Sequence, residues 1–515
     1  MNEIARMKNQ SFMNQSSIAN ETQMETKSEV NEIRMEERSA ANECKDSRES
    51  TISSMNGNAR MKEIEILPSK SEAHRMIIAA ALSKNPCEIP LRETSDDIEA
   101  TRACMRAIRE ARETGEPAEL YCKESGSTFR FLIPVVAALG IEAHFHPEGR
   151  LPQRPLSPLY EELTAHGICM SELGSVPFVV RGKLSPGEYT IPGNVSSQYI
   201  TGLLLALPLL PGGSTIRVTG DRQSMGYIDM TLRVLERFGI RIRTEQVTDN
   251  HTTAKTTHSA RNDSVEEISD STEAQTTKPA MMTPKIPGSP KRMNESTAED
   301  LIFRIPGNQE YIAPTDCTVE GDWSNAAFWL TAGIIGEDPV RVTGLNPDSA
   351  QGDRAIVNFI RQFGGRIETE GNTVTAYPSQ SHLHGTEIDA AQIPDMVPAL
   401  ALIATQAEGV TEITHAERLR LKESDRLKSV TQVLQALGAE IEELPDGLRI
   451  SGKTRLCGGK VSGFGDHRIV MMAAIASLAA KGCVVIEGAE SVNKSYPTFF
   501  TLMEENEMNQ NMERR

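Results

Sequence analysis

The sequence predicts an α/β (α+β) protein of two or more domains, built from six βαβαββ-like repeats. Two observations predict this fold: one strand–helix–strand pattern recurs along the chain, and small-residue apolar helices repeatedly follow short polar turns. The 515 residues are enough for two or more domains. Units of this kind cannot bury their apolar faces alone, so they must pack against one another.

The repeat is clearest in three copies, which cover residues 190–239, 317–364 and 395–438. Each copy is typical of a strand, a buried small-residue helix, a second strand and a helix that ends at glycine. An alternating Ile-Arg-Ile-like strand follows. Fainter copies begin at Ser69, Ser125 and Gly465, which brings the predicted number of units to six.

Three segments lack this pattern. Residues 1–59 are polar and poor in aliphatic side chains, and they predict a disordered tail. Residues 246–299 interrupt two patterned regions, so we interpret them as a disordered insertion forming a long mobile surface loop. Residues 506–515 are expected to be a polar tail.

Composition argues against several classes of function. The net charge of −17 disfavours nucleic acid as a partner, and 4% aromatic residues leave few platforms for stacking bases. The eight cysteines are scattered without metal-ligand spacing, which is typical of reduced thiols in a cytosolic protein. No apolar stretch reaches the roughly 18 residues of a membrane span, and the N-terminus lacks a secretory core.

Four polar turns stand directly before apolar helices, and each carries cations or hydroxyls. They contain Lys70-Ser71 with Arg75, Ser125-Gly126, Ser196-Ser197-Gln198 and His467-Arg468. A helix start offers unpaired N–H groups and the positive end of the dipole. Four such starts predict a site for a heavily anionic small molecule, even though the chain as a whole is acidic.

Each motif also has an ordinary structural interpretation. Lys70 could be a surface charge, Arg150 and Arg154 could be solvated loop residues, and the charged run 418–426 could be an exposed helix. Asp395, in an apolar segment, is either a helix cap or a catalytic acid. No Walker loop, dinucleotide-binding glycine motif or nucleophile elbow occurs, which disfavours nucleotide-binding and serine-hydrolase functions.

In this order, the segments between Ile64 and Leu502 resemble the 5-enolpyruvylshikimate-3-phosphate synthase (3-phosphoshikimate 1-carboxyvinyltransferase) family. The resemblance implies the two-domain, inverse α/β-barrel-like enolpyruvyl transferase fold, with three of the six repeats in each domain. It places the first domain at residues 69–318, with the insertion inside it. The second domain then combines residues 60–68 with 319–505, and the chain crosses between domains near Leu67 and near 315–320.

The resemblance also implies an activity. The family transfers the carboxyvinyl group of phosphoenolpyruvate to the 5-hydroxyl of shikimate-3-phosphate and releases phosphate through a tetrahedral intermediate. This step belongs to the shikimate pathway of chorismate and aromatic amino-acid biosynthesis. The expected protein is a cytoplasmic monomer whose partners are these two small substrates, with no metal, organic cofactor, nucleic acid or membrane.

The site residues implied by the resemblance form three sets. Shikimate-3-phosphate is expected at Lys70, Ser71, Arg75, Ser196, Ser197, Gln198, Ser224, Tyr227, Asp395 and Lys422. Phosphoenolpyruvate is expected at Lys70, Gly126, Arg154, Gln198, Arg426, Arg468 and Lys494. The catalytic set is Asp395 and Lys70, which would share the hydroxyl proton, Glu423, which would exchange a proton with C3, and His467, which would orient Glu423.

The sequence departs from the family pattern at two positions. Glu124 and Arg418 stand where family members usually carry asparagine, so their contact with substrate and the sensitivity to glyphosate stay open. The nearest rival is the sister transferase acting on UDP-N-acetylglucosamine, which usually carries a cysteine acid in its first half. No cysteine lies between Cys122 and Cys169, which favours the shikimate branch. A second rival is a non-catalytic homologue, which the retained acids Asp395 and Glu423 disfavour.

Overall fold

The computed structural model describes residues 60–248, 251–255 and 300–515. The tail predicted at 1–59 and most of the predicted insertion lie outside the described residues. Helices alternate with strands throughout the described ranges, which confirms the predicted α/β class. No helix within those ranges is both long and apolar enough to cross a membrane.

The first half of the chain runs from β1 to β10, and most of it folds into one globular unit. Its elements are β1 (Lys62–Glu65), α1 (Lys70–Leu82), α2 (Asp96–Thr114), β2 (Ala118–Lys123), α3 (Gly126–Leu139), β3 (Ala143–Pro147), α4 (Leu159–Ala165), β4 (Ile168–Met170), β5 (Phe178–Gly182), β6 (Glu188–Pro192), α5 (Ser197–Ala206), β7 (Ser214–Thr219), α6 (Met225–Arg237), β8 (Arg243–Thr248), β9 (His251–Lys255) and β10 (Asp300–Ile305).

The second half repeats the same alternation. Its elements are α7 (Trp323–Ile335), β11 (Val340–Thr343), α8 (Ile356–Gln362), β12 (Arg366–Glu370), β13 (Thr373–Tyr377), β14 (Glu387–Asp389), α9 (Val397–Gln406), β15 (Gly409–Thr414), α10 (Arg426–Ala436), β16 (Glu440–Leu444), β17 (Gly447–Gly452), β18 (Gly459–Ser462), α11 (His467–Ala476), β19 (Val484–Glu487), α12 (Phe499–Glu505) and β20 (Met512–Arg514).

Four sheets share one topology, as an internal repeat requires. Their strand orders are β2-β3-β5-β4, β6-β7-β10-β8-β9, β1-β11-β13-β12 and β14-β15-β17-β16. In each sheet the first two strands are parallel and the next two are added antiparallel. A parallel pair needs a long crossover, whereas antiparallel neighbours can close by a short turn, and this accounts for the βαβαββ order.

The remaining two of the six predicted units are incomplete within the described residues. The first consists of α1 and α2 without a sheet of its own, and the last is the three-stranded parallel sheet β18-β19-β20. The unit that contains β11 takes its first strand, β1, from the chain segment that precedes the entire first half. That strand therefore ties the beginning of the described chain to the second half.

The described residues form two separate apolar cores. One contains buried residues between 73 and 311, and the other contains Ile64, Ile66 and Leu67 together with buried residues between 323 and 508. The two chain crossings run side by side, since Ser69 N–H donates to Glu320 O at 2.7 Å and Asp322 N–H donates to Leu67 O at 3.0 Å. We therefore propose that residues 69–318 form one domain and that residues 60–68 with the chain from 319 form the other.

Two boundary predictions need correction. The insertion is predicted to begin at residue 246, but β8 extends to Thr248, because it pairs with β10 on one side and with β9 on the other. The polar tail expected from residue 506 instead ends in β20, which pairs with the open edge of β19. Met508 is buried in the second core, and this apolar contact fixes the segment.

A buried carboxylate where the chain crosses between the two halves should make the stability of the fold depend on pH. Glu72 accepts hydrogen bonds from Arg237 and from Glu320 N–H, and burial followed by the charge of Glu320 raises the pKa of Glu72 to about 7. A carboxyl with a raised pKa in the folded state binds protons that the unfolded chain has released. Its contribution to stability therefore falls as pH rises from the ordinary glutamate range to about 7.

Glu72→Gln should accordingly match the parent near pH 4.5 and become more stable than it by pH 8. The measurement is the free energy of chemical unfolding of both proteins at the two pH values. An equal difference at both pH values would contradict the assignment of a raised pKa to Glu72.

Candidate active site

The four predicted helix starts are confirmed. Helices α1, α3, α5 and α11 begin at Lys70, Gly126, Ser197 and His467. Each is capped by the preceding side chain, which accepts a hydrogen bond from a backbone N–H of the first turn; these caps are Ser69, Ser125, Ser196 and Asp466. The caps fix where the cations and hydroxyls of each first turn point.

These helix starts lie around one cavity between the two cores. It contains all but one of the site residues predicted from the sequence. Those that line it are Lys70, Ser71, Arg75, Gly126, Arg154, Ser196, Ser197, Gln198, Ser224, Tyr227, Asp395, Lys422, Glu423, Arg426, His467 and Arg468. The exception, Lys494, does not line this cavity and instead pairs with Glu124 at 2.9 Å.

Three further charged residues line the cavity. Arg130 lies four residues after Gly126 on α3, so the helical period alone could have placed it on the same face. Arg418 donates to Ser224 Oγ at 3.3 Å, which brings it beside a predicted contact residue. Asp97 pairs with Lys70 Nζ at 2.9 Å through the packing of α2 on α1, and no local sequence pattern indicated it.

Asp395 and Glu423 are held by one buried guanidinium. Arg426 is only 1% exposed and donates to Asp395 at 2.7 Å, to Glu423 at 2.7 Å and to Asp466 at 2.8 Å. A forked guanidinium can serve several carboxylates at once, so it fixes the spacing between them. Because its N–H groups are already bound to these carboxylates, Arg426 chiefly holds the two acids in position.

The electrostatics of the two acids follow from their neighbours. Burial alone would raise the pKa of Asp395, but Lys422, Arg426 and Arg468 outweigh it and hold that pKa well below its usual range. The same competition lowers the pKa of Glu423 well below its usual range, with Arg426 and Arg154 as the strongest opposing charges. Both carboxylates are therefore ionised at neutral pH.

The pKa values of two of their partners are shifted as well. Burial and the neighbouring Asp395 charge raise the pKa of Tyr227 well above its usual range, and its hydroxyl donates to Asp395 at 2.7 Å. Burial lowers the pKa of Lys422, although Asp395, 3.3 Å away, partly offsets this effect. Tyr227 is thus a neutral donor, and the pKa of Lys422 lies below that of an exposed lysine.

Some buried donors have no partner among the described residues. These are Nε and Nη1 of Arg468 and Nε of Arg130. A buried charged donor without an acceptor is costly, so such groups are expected to meet a ligand or ordered water. Arg75 differs, because its guanidinium already donates to Ser71 O, Thr201, Thr231 and Tyr227 O.

His467 is neutral in this environment. Burial, followed by the positive charges of Lys70 and Arg468, lowers the pKa of His467 well below its usual range. Its Nδ1 has no hydrogen-bond partner within the described part of the chain. Glu423 is oriented by Arg426 and by Arg154, whose Nη1 lies 3.4 Å away, so the predicted orientation of Glu423 by His467 has no hydrogen bond to support it among these residues.

The two halves touch directly around the cavity. Two arginines of the first half donate to backbone oxygens of the second: Arg154 to Leu421 O at 3.1 Å and Arg150 to Glu423 O at 3.2 Å. On the opposite side, Gln392 donates to Arg222 O at 2.7 Å. These contacts close the cleft and reduce its exposure to water, which strengthens every charge interaction inside it.

Loss of the central guanidinium should destabilise the fold strongly. Arg426→Met leaves Asp466, which is 0% exposed, without its main cation, and the expected loss is about 3–5 kcal/mol of unfolding free energy. The matched control is Arg449→Met, because Arg449 pairs with Glu412 and Glu442 on the surface, where such pairs contribute about 0–1 kcal/mol. Chemical unfolding of both variants checks this; equal losses would contradict it.

The described residues contain no group of three or more His, Cys, Asp or Glu side chains arranged to hold a metal ion. The cavity is instead rich in arginine and lysine side chains and in hydroxyls. Such a donor set suits phosphates and carboxylates, which it can bind through charge-assisted hydrogen bonds.

Solved structures with the same architecture identify the fold. An EPSP synthase from Acinetobacter baumannii superposes with a TM-score of 0.61 at 22% identity, covering 87% of this chain and 96% of that one. The enolpyruvyl transferase NikO from Streptomyces tendae gives a TM-score of 0.59 at 17% identity over 88% and 96% of the two chains. The fold is therefore that of the enolpyruvyl transferases, as the sequence predicted.

Sequence relatives narrow the class. The sequence profile described as EPSP synthase (3-phosphoshikimate 1-carboxyvinyltransferase) matches residues 56–285 and 293–503. The 3-phosphoshikimate 1-carboxyvinyltransferase of Clostridium kluyveri is 38% identical over 87% of this chain and 95% of its own length. That of Clostridium acetobutylicum is 37% identical over 85% and 93%. The chain belongs to the EPSP synthase family.

Proposed function

We propose that this chain transfers the carboxyvinyl group of phosphoenolpyruvate to the 5-hydroxyl of shikimate-3-phosphate and releases phosphate. One observation carries the proposal: a closed cavity holds two ionised acids among cations, with buried donors on Arg468 and Arg130 that have no partner in the described chain. Two substrates with two phosphates and two carboxylates would supply the missing acceptors and offset the positive charge.

The two substrates divide the cavity. Shikimate-3-phosphate lies along the hydroxyl-bearing wall, where Ser196 and Ser197 begin α5 and Ser224 lies beside Arg418. Arg418 therefore joins this set as a phosphate or hydroxyl donor. Phosphoenolpyruvate lies nearer Lys70, Arg154 and Arg468, with Arg130 as an added donor. Arg75 and Arg426 support the walls, since most of their N–H groups are bound to protein.

The chemistry then consists of two coupled proton transfers. The 5-hydroxyl oxygen bonds to C2 of the enol while C3 gains a proton, and this gives a tetrahedral intermediate. Loss of a proton from C3 and of phosphate from C2 forms the new enol ether. Asp395 accepts the hydroxyl proton in this scheme, with Lys70 as its partner, and Glu423 exchanges a proton with C3.

Substrate binding itself prepares Glu423 for this role. Arg426 and Arg154 hold the pKa of Glu423 well below its usual range, which disfavours a proton on this carboxylate. Phosphate and carboxylate groups placed beside those cations neutralise them and add like charge near the acid. Both effects raise the pKa of a carboxyl. Bound substrates therefore favour a proton on Glu423.

The wider setting belongs to the same proposal. The reaction would form part of the shikimate route to chorismate and aromatic amino acids, carried out in the cytoplasm by a monomer. The scheme uses no metal or organic cofactor: a C–O bond forms at C2, side chains take and give the protons, and phosphate leaves from C2.

The direct test is phosphate release by the purified full chain given shikimate-3-phosphate and phosphoenolpyruvate, with and without EDTA. Release that requires both substrates and is unaffected by the chelator supports metal-free carboxyvinyl transfer. No release while shikimate-3-phosphate still binds would contradict the proposal, and UDP-N-acetylglucosamine would then be the next acceptor to test.

Gly126 offers a prediction about phosphoenolpyruvate. A Cβ at this position would lie 2.8 Å from Arg130 Nη1 and 2.9 Å from Arg154 Nη1, so Gly126→Ala must displace both guanidinium groups. We expect KM for phosphoenolpyruvate to rise about tenfold, corresponding to roughly 1.4 kcal/mol of binding, with little change in KM for shikimate-3-phosphate.

The control for this prediction is Gly213→Ala, where the nearest atom to an added Cβ is Ile305 O at 3.7 Å. Initial rates at varied concentrations of each substrate separate the two KM values. An unchanged KM for phosphoenolpyruvate in Gly126→Ala would show that the two arginines do not set its affinity.

A further inference from the structure

An ion pair joins the two halves of the chain near the cavity, and its acid, Glu124, is one of the two departures from the family pattern. Glu124 lies between β2 and the cap of α3 in the first half, and its Oε2 accepts from Lys494 Nζ of the second half at 2.9 Å. Lys494 also donates to Gly465 O at 2.6 Å. Two of the three N–H groups of the ammonium are therefore engaged by the protein.

The position of Glu124 is fixed by its surroundings. A Cβ on Gly149 would lie 2.5 Å from Glu124 Oε2, so the carboxylate occupies space that only glycine leaves open. Gly149 has a φ of +56°, a conformation that also favours glycine. This glycine begins the loop that carries Arg150 and Arg154 to Glu423 and Leu421 O. The carboxylate is therefore built into the same rim that supplies cations to the cavity.

We propose that Glu124 is a specificity-determining residue that occupies Lys494 in the absence of phosphoenolpyruvate and competes with it. The inference rests on the proposed function, in which Lys494 serves phosphoenolpyruvate. Glu124 is two residues from Gly126, the backbone beside which that substrate is expected. An anion that binds there finds the ammonium group of Lys494 already paired with the carboxylate of Glu124. It must therefore displace that carboxylate or share the ammonium group with it.

The competition has a defined consequence for affinity. When a binding group is free for only part of the time, the apparent dissociation constant rises by the inverse of that free fraction. Glu124 thus weakens phosphoenolpyruvate and any anionic analogue that needs Lys494. Shikimate-3-phosphate is affected little, because its hydroxyl-bearing wall at Ser196 and Ser224 lies on other elements of the cavity.

The opposite role is physically possible and makes a different prediction. If the pair served mainly to hold the two halves closed, its loss would open the cleft and weaken phosphoenolpyruvate. Competition predicts tighter binding when the charge is removed, whereas a latch predicts weaker binding. The sign of the change in KM therefore decides between them.

The test compares Glu124→Gln with Glu148→Gln in the full-length enzyme. Glu148 lies on the adjacent loop, is exposed and makes no ion pair with the described residues, so its variant removes the same charge from the same rim. We expect Glu124→Gln to lower KM for phosphoenolpyruvate about three- to tenfold and to leave KM for shikimate-3-phosphate within about twofold. Glu148→Gln should match the parent.

An unchanged or raised KM for phosphoenolpyruvate in Glu124→Gln overturns the proposal, as does an equal decrease in Glu148→Gln. Failure of the proposed function is separable, because the parent enzyme would then show no turnover with both substrates. In that case, calorimetric titration with inorganic phosphate still decides: tighter binding by Glu124→Gln than by the parent supports competition at Lys494, and equal or weaker binding refutes it.

Discussion

Glu423→Gln should lower turnover by about 10²- to 10⁴-fold, the usual contribution of a general acid–base group, while shikimate-3-phosphate affinity stays within about twofold. Glutamine has the same shape as glutamate and can still accept a hydrogen bond from Arg426, which lies 2.7 Å from Glu423 Oε2. It cannot give or take the proton at C3. The loss should therefore fall on the chemical step and not on binding.

Two measurements check this expectation: steady-state phosphate release and calorimetric binding of shikimate-3-phosphate. Glu417→Gln is the matched control. Glu417 is exposed on the short helical segment that ends at Leu421, two residues before Glu423, and it does not line the cavity. Equal losses of turnover and of shikimate-3-phosphate affinity would mean that Glu423 is a binding or structural residue. The same losses in Glu417→Gln would point to disruption of the segment.

Helix starts were predictable from the sequence because their determinants are local. Ser69, Ser125, Ser196 and Asp466 each stand one residue before a helix and accept its N–H groups, so cap and helix are encoded together. The residues that follow the caps were also predicted to share one site. Their convergence depended on repeated units packing around a common cleft, which the internal repetition indicated.

Other features required tertiary information. Asp97 reaches Lys70 only through the packing of α2 on α1, and the sequence contains no spacing that announces it. The guanidinium of Arg75 is used by Thr201 and Thr231, two residues far along the chain, so its structural role was hidden. Likewise, β20 forms because β19 leaves an edge open, and composition alone suggested a polar tail.

Asp395→Asn should lower the rate of tetrahedral-intermediate formation by about 10³-fold, within the range for a general base. Asp395 is the acceptor shared by Tyr227, Lys422 and Arg426, at 2.7, 3.3 and 2.7 Å. An amide keeps one acceptor oxygen but carries no charge and cannot take the hydroxyl proton. Removal of that negative charge should not weaken an anionic substrate, so shikimate-3-phosphate affinity should be equal or higher.

Rapid-quench single-turnover experiments with Asp395→Asn and with Lys70→Met would separate the two candidates for the hydroxyl proton. If Asp395 is the base, its variant loses the addition step at saturating substrates, whereas Lys70→Met chiefly raises KM for phosphoenolpyruvate. A loss of less than tenfold in Asp395→Asn, with a large loss of the addition step in Lys70→Met, would assign the proton to Lys70. Asp395 would then act by positioning the hydroxyl and by holding Lys422 and Arg426 in place.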